Sequence, residues 1–425
     1  VKRPNIDKLE SECNKIYYTY EYQLLPTDAQ RLLLSKHCGA MRFVYNYCLT
    51  QSEESYKTTG KRIPYLKLKA SFAQLKKQEE FAWLKEINSQ SIQKAVKNLD
   101  TAYLRFFKGI GGLPTFHKKH GKQSFHVPQF IKLIDGKLYF PKFKEGIKIN
   151  LHRPCVGEIC FANIRKTKTC KYFATITCLV DKNSLEKYEK TDKAVGLDMG
   201  IKDLIITSDG EKIKNLKQRR KFNKHLAYLH RQLSKKKKGS SRRERARLRL
   251  AFQYEKISNK KKDHIHKATT RLVRENQTIA VESLAVQNMM KNHSLAGAIG
   301  DCSWSEILRQ LEYKCRWHNR TFVKIERFFP SSKMCHECGY INHGLSLNDR
   351  KWSCPHCGHA HDRDVNAARN ILSQGLNILK SGSGTDSDYK QKPEEALPAH
   401  CHAKHDNHCK GKSVNQDAEQ SSAAR

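Results

Sequence analysis

Apolar positions along the first hundred residues change period twice. Tyr17-Tyr18-Thr19-Tyr20-Glu21-Tyr22 has the composition of a strand and stops at Pro26. Thr27 with Gln30 three residues on is a capping box that opens a helix. Leu34, Cys38, Met41, Tyr45 and Cys48 then recur in steps of four and three, one apolar helical face. A second helix carries Ile92, Val96, Leu99, Tyr103 and Phe106 at the same spacing, with Lys94, Lys97, Arg105 and Lys108 on its polar side. Both stripes are core positions of a helical lobe. Gly109, Gly111, Gly112 and Pro114 end the second helix, and Lys118, Lys119 and Lys122 form a basic loop. Short alternating stretches follow, such as Lys137-Leu138-Tyr139-Phe140 and Tyr172-Phe173-Ala174-Thr175-Ile176-Thr177, predicting a small antiparallel barrel or sandwich. The strand near 17–25 is expected to join it, making the helical lobe an insertion.

From residue 194 the order becomes strand, hairpin, long helices, strand, helix, strand. Phe222, Leu226, Leu229 and Leu233 mark one helix, and Leu248, Phe252 and Ile257 a second, with Lys235–Lys238 and Gly239-Ser240-Ser241 as the turn. The first fifteen residues and those after Lys380 are polar and are expected to be disordered. His400, Cys401, His402, His405, His408 and Cys409 in the last stretch are expected to bind metal only adventitiously.

Charge changes this picture from a generic fold to a partner. The 425 residues hold 80 Lys+Arg against 42 Asp+Glu, a net charge of +38. Between Lys217 and Lys267 there are twenty basic residues and three acids, so the two long helices would repel themselves without a polyanion. No apolar run reaches the ~18 residues that cross a bilayer, and no signal region follows the N-terminus, so nucleic acid is favoured over a membrane. Fifteen cysteines without a secretion signal indicate a reducing compartment. Cys38, Cys48, Cys160 and Cys178 sit among apolar neighbours as small hydrophobes.

Four cysteines differ. Cys335-x-x-Cys338 and Cys354-x-x-Cys357 are separated by fifteen residues, and each pair ends in a glycine, Gly339 or Gly358. Two such pairs complete a closed tetrahedral site, predicting structural Zn²⁺. A second constellation is acidic. Ala194-Val195-Gly196-Leu197 ends in Asp198, Thr278-Ile279-Ala280-Val281 ends in Glu282, and Asp362-Arg363-Asp364 heads a helix. Singly, Asp198 can just end a strand, Glu282 can pair with an arginine, and Asp364 can cap its helix. Together they predict an acidic pocket for hard divalent cations, Mg²⁺ above all. Strand–Asp–hairpin, strand–Glu and Asp–helix is the order of an RNase H-like nuclease core. Two metals ~4 Å apart there could support phosphodiester hydrolysis.

The motifs Gly196-Leu197-Asp198-Met199-Gly200-Ile201-Lys202-Asp203, Val281-Glu282-Ser283-Leu284, Arg309-Gln310-Leu311-Glu312-Tyr313-Lys314, Phe329-Pro330-Ser331-Ser332-Lys333 and Asp362-Arg363-Asp364-Val365-Asn366-Ala367-Ala368 resemble the TnpB (OrfB) family of bacterial insertion sequences, relatives of type V CRISPR effector nucleases. Leu24-Leu25-Pro26-Thr27 and Arg42-Phe43-Val44-Tyr45-Asn46 extend the likeness to about residues 16–378. The resemblance implies an RNA-guided DNA endonuclease with an α+β, multidomain fold. A β-barrel wedge domain (16–30 and 109–190) would carry the inserted helical recognition lobe (31–108). A RuvC-like nuclease domain (191–330 and 361–379) would hold the zinc ribbon (331–360), with tails at 1–15 and 380–425. The catalytic and Mg²⁺-binding residues would be Asp198, Glu282 and Asp364, with Asp362 the runner-up to Asp364. Zn²⁺ would sit on Cys335, Cys338, Cys354 and Cys357. The implied partners are a transposon-derived guide RNA and duplex target DNA with a short adjacent motif. A monomer with one RNA, working in the bacterial cytoplasm, is favoured. Ser89, Gln90 and Gln93 are candidates for base contacts near that motif, with helix capping and a solvated face as the alternative. A guided repressor that does not cut, and a strand-transfer transposase, are the other functional readings.

Overall fold

The computed structural model describes residues 14–346 and 349–381, so most of both predicted tails, with the terminal histidines and cysteines, lies outside the described residues. Strand β1 (Lys15–Leu25) buries alternate residues, among them Ile16, Tyr20, Tyr22 and Leu24. Helix α1 (Asp28–Thr59) starts at the capping box: Thr27 Oγ1 accepts from Gln30 N at 3.3 Å, and Gln30 Oε1 accepts from Thr27 N at 3.1 Å. All five residues of its predicted stripe are buried. Helices α2 (Tyr65–Leu75) and α3 (Ser89–Phe107) pack beside it. The α3 stripe holds through Tyr103 but not at Phe106, which is 38% exposed, because the helix runs past the core there. On its polar side Lys97 and Arg62 both pair with Asp100, at 2.8 and 3.1 Å.

Strands β2 (Gln123–Val127), β3 (Lys132–Ile134), β4 (Lys137–Phe140), β5 (Phe143–Asn150), β6 (Glu158–Lys166) and β7 (Tyr172–Asp181) join β1 in an antiparallel sheet of order β2-β6-β7-β1-β5-β4-β3. The first strand of the chain is thus the central one, and α1 to α3 are looped out between it and the rest. Hydrogen bonding does not close this sheet among the described residues. Yet Phe125 on β2 and Phe140 on β4 have ring centroids 6.2 Å apart although they stand five places apart in the order. A flat sheet would separate them by about 24 Å at ~4.8 Å per strand, so the sheet is rolled on itself. His37 of α1 sits between Phe125 and Phe143, at 5.0 and 5.4 Å, and plugs one side of the roll.

The second sheet contains β8 (Ala194–Asp198), β9 (Asp203–Thr207), β10 (Lys212–Lys214), β11 (Thr278–Glu282) and β12 (Thr321–Ile325) in the order β10-β9-β8-β11-β12. β8, β11 and β12 run parallel, while β9 and β10 return as an antiparallel meander. Between β10 and β11 lie α4 (Asn223–Ser234) and α5 (Ser241–Glu275). They close on Leu226, Leu250 and Ile257. The α5 seam therefore uses Leu250 rather than Leu248, and Phe252 is 48% exposed, its ring 5.8 Å from the Lys171 ammonium. Helices α6 (His293–Cys302) and α7 (Trp304–Trp317) precede β12. The hairpin β13 (Lys351–Ser353) and β14 (Ala360–Asp362) leads into α8 (Arg363–Lys380).

Both faces of the second sheet are covered, as its continuous apolar strands require. Val195, Leu197, Ile279 and Val281 face α5 and α7, meeting Ala268, Leu272, Ile307 and Leu311. The alternate residues face α8, and two glycines let that helix come close. A Cβ on Gly196 would stand 2.0 Å from the Ala368 carbonyl oxygen, and one on Gly375 would stand 2.6 Å from Ala280 Cβ. The two sheets meet where Tyr18 of β1 stacks on Trp317 of α7, centroids 4.1 Å apart.

Candidate active site and metal centre

Strand alternation decides where the acids point. Because Leu197 and Val281 pair in register and both face α5 and α7, Asp198 and Glu282, one residue on, turn to the α8 face at adjacent strand ends. The close approach of α8 at Gly196 brings its N-terminal turn, with Asp364, to the same end. The electrostatics carry the mark of this convergence. Burial, and then repulsion from Asp364, pushes the Asp198 carboxyl up to about 6. Burial, and then repulsion from Asp198, pushes Glu282 up to about 7. Two acids held near neutrality by burial and like charge form a site that a cation would relieve.

The two candidates at the helix head behave differently. Asp362 is the N-cap of α8: its Oδ1 accepts from Asp364 N at 3.1 Å and Val365 N at 3.3 Å, and its Oδ2 from Lys212 Nζ at 2.6 Å. Burial raises its pKa, but those bonds outweigh it and hold the group below the usual carboxylate range. Asp364 pairs with Arg350, Nη1 to Oδ1, at 3.1 Å. Its capacity is less committed, since Arg350 is a largely exposed partner. Among the described residues, the one set of three or more ligand-bearing side chains whose donor atoms all lie within 4.8 Å of each other is Cys335, Cys338, Cys354 and Cys357. The three carboxylates share an end of the sheet without closing to that distance.

The cysteines fit a tetrahedral ion. Sγ–Sγ separations of 3.7 Å (Cys335–Cys357) and 3.6 Å (Cys338–Cys354) match the ~3.8 Å expected for four Zn–S bonds of ~2.3 Å, and far exceed a disulfide. Each knuckle closes through a glycine at positive φ. Gly339 N donates to Cys335 O at 2.9 Å, and Gly358 N to Cys354 O at 2.8 Å, with φ of 76° and 72°.

Residues to which the sequence assigned no role fasten this centre to the acids. Asn366 Oδ1 accepts from His336 N at 3.0 Å, and its Nδ2 donates to Met334 O at 2.7 Å. Asn370, one turn on, donates to Ser331 O at 2.8 Å and Met334 O at 2.6 Å. The helix that carries Asp364 therefore also clasps the first cysteine knuckle. His361 is buried with its Nε2 3.1 Å from Cys335 Sγ, and its ring packs 4.9 Å from Trp352. The signal for the clasp was two asparagines at i and i+4 on one helix face, legible only once the helix had a partner.

In the helical lobe, Asn88 rather than Ser89 caps α3, accepting from Gln90 N at 3.1 Å. Gln90 Nε2 donates to Gln129 at 3.0 Å, while Ser89 and Gln93 are exposed beside a groove lined by Leu66, Lys69, Phe72 and Lys76. Away from the seam, α5 exposes Arg242, Arg245, Arg249, Lys256, Lys260 and Lys262, while α4 adds Lys224 and Arg231. Among the described residues no helix is long and apolar enough to cross a membrane.

Three family models match the chain: "Helix-turn-helix domain" over residues 16–61, "Probable transposase" (OrfB of IS605) over 175–293, and "Cas12f1-like, TNB domain" over 304–371. The first of these regions folds here as β1 followed by the single helix α1. The chain is 37% identical over 391 residues to a Streptomyces pristinaespiralis protein named "Putative RNA-guided DNA endonuclease", covering 89% of this chain and 96% of that one. It is 30% identical over 402 residues to "Putative RNA-guided DNA endonuclease InsQ" of Escherichia coli K12, covering 89% and 98%. A cryo-EM structure of a Cas12f1–sgRNA–target DNA complex aligns with a TM-score of 0.46 at 12% identity, covering 84% of this chain and 99% of that one.

Proposed function

The chain belongs to the TnpB (OrfB) family, and we propose that it is an RNA-guided DNA endonuclease cutting at an RNase H-like, RuvC-type site built on Asp198, Glu282 and Asp364. The observation that carries this reading is the pair Asp198 and Glu282, on one face at the ends of adjacent parallel strands with both carboxyls pushed towards neutrality. The strand order, a three-stranded antiparallel meander continued by two parallel strands, is that of an RNase H core and supports the same assignment.

Asp198, Glu282 and Asp364 would be the oxygen ligands, and Mg²⁺ would suit them because hard cations prefer carboxylate. Divalent ions held there would supply an activated water and charge stabilisation of the departing oxygen in phosphodiester hydrolysis. Arg350 neutralises Asp364 and orients it at the head of α8. Asp362 is a positioning residue, since its oxygens are spent on the helix N-terminus and Lys212. The four cysteines would hold a structural Zn²⁺ with all four ligands from the protein.

The basic face of α4 and α5, and the rolled seven-stranded sheet as a wedge, hold the guide RNA by its backbone, while base pairing selects the target. The lobe of α1 to α3 lies against the heteroduplex, and exposed Ser89 and Gln93 meet the motif beside it. One protein chain with one RNA is the working unit, in the bacterial cytoplasm. Purified protein with its co-purified RNA, a matched plasmid and Mg²⁺ tests this. Linear product that disappears with Asp198→Ala is expected. Binding without cutting by the unmutated protein indicates a guided repressor, and covalently joined ends a strand-transfer transposase.

A further inference from the structure

The three parallel strands of the second sheet end at one edge, and only two of them end in acids. β8 ends at Asp198 and β11 at Glu282, while β12 ends at Ile325, which pairs with Glu282. Ser283 N donates to Ile325 O at 3.3 Å, so β12 stays bonded up to the acidic edge. There the chain folds into a turn, with Phe329 N donating to Glu326 O at 3.4 Å, and Arg327 and Phe328 form its tip. Phe328 is 89% exposed, the highest value among the large hydrophobic residues described.

This exposure is built in. Phe329 packs on the cluster of Ala280, Ile325 and Ile371 below the turn. Met334 N donates to Pro330 O at 2.9 Å, and Asn370 Nδ2 holds Ser331 O at 2.8 Å. The turn is fixed at both ends while its aromatic ring is held in water, against the hydrophobic driving force. Arg327 stands beside it, and the chain as a whole is strongly cationic. A lone ring with a cation next to it is small for a protein interface but is the unit of sequence-tolerant contact with an unpaired base.

Position decides which base. Ile325 is one strand spacing, about 5 Å, from Glu282, and Phe328 is three residues further, at most about 10 Å of chain. A DNA strand with its scissile phosphate at the acids passes within a few nucleotides of this ring. We infer that Phe328 is a stacking platform for an unpaired base of the DNA strand being cut, an assignment that rests on the nuclease reading above. Stacking suits an enzyme whose sequence choice comes from its guide, because every base has a π-face.

The experiment uses the full chain loaded with guide RNA and a matched duplex carrying 2-aminopurine near the cut position, with Phe328→Ala and Phe328→Trp as variants. Guide retention and the melting temperature should stay at the parent's values in both, since the ring touches nothing in the core. Phe328→Ala should cut at least about fivefold more slowly and lose the quenching of 2-aminopurine. Phe328→Trp should restore both. Parent-like cutting and quenching in Phe328→Ala overturn the inference, as do equal defects in the Ala and Trp variants, which would mark a role of the turn rather than the ring. If the parent protein fails to cut matched duplex, the nuclease reading falls, while quenching by parent and variants still decides whether this ring stacks on DNA.

Discussion

Replacing Asp198 by Asn should abolish cutting and yet make the magnesium-free protein more stable. The carboxyl is raised from an ordinary 3.8 to about 6, chiefly by burial and then by Asp364. The native state thus binds this proton more tightly than the unfolded chain does. Between pH 4 and 6 stability falls as pH rises, and above that the full penalty remains. A shift of about 2 pKa units corresponds to about 3 kcal/mol, taken as a ceiling because solvent and counter-ions relieve part of it. Asn keeps the shape and the oxygen that accepts from the Met199 amide, and carries no charge to bury. At about 2–4 °C per kcal/mol for a cooperative unit of this sheet's size, Asp198→Asn should melt up to about 10 °C higher at pH 8. Below pH 4 the two proteins should melt together. Calorimetry on RNA-free protein with zinc retained reads the difference. Trp304 and Trp317 on α7 give a fluorescence signal from the helix packed on the same sheet. Added Mg²⁺ should raise the melting temperature of the parent and leave the variant nearly unmoved. An Asn variant that melts at or below the parent at pH 8 refutes the burial and repulsion argument.

Gly196→Ala places a Cβ against the Ala368 backbone, so it should displace α8, cost about 1–3 kcal/mol or more and remove cutting with guide binding intact, as thermal melts and filter binding will report. Stripping zinc, or Cys335→Ser, should expose the 330–360 segment to proteolysis while Mg²⁺ still raises the melting temperature; an unchanged digestion pattern contradicts a structural centre. Guide affinity should fall steeply with salt, about one counterion per phosphate contact. Replacing Arg242, Arg245 and Arg249 of α5 by Gln should lower the slope of log affinity against log salt, and an unchanged slope removes α5 from the RNA platform.

Local rules were readable in the chain. The Thr27–Gln30 box, the Leu34–Cys48 stripe and the two CxxC knuckles each depend on neighbours within about one helical turn or one hairpin, and each appears as expected. What escaped depended on partners far along the chain. Phe106 continues a perfect period but lies beyond the end of its core, and Leu250 takes the place of Leu248 because the seam is set by α4 rather than by α5 alone. The rolling of the first sheet, with Phe125 meeting Phe140, has no signature in any window. That Asp198, Glu282 and Asp364 stand at strand and helix ends was legible, and the structure brings those ends to one edge of the sheet. The family resemblance alone favoured Asp364 over Asp362; that Asp362 is committed to the helix N-terminus and to Lys212, 150 residues away, has no signature in the sequence. Gly375 and Asn370 look like ordinary helix residues until α8 is laid on β11 and the first knuckle.

The central claim is that acids from β8, β11 and α8 gather around divalent cations. Anomalous diffraction from the full chain with guide RNA and target DNA, soaked in Mn²⁺, tests it directly. The account predicts manganese peaks coordinated by Asp198, with Glu282 and Asp364 completing the shell and Asp362 still on Lys212. Manganese elsewhere, or an acidic edge that stays free of metal with the DNA strand in place, would contradict it.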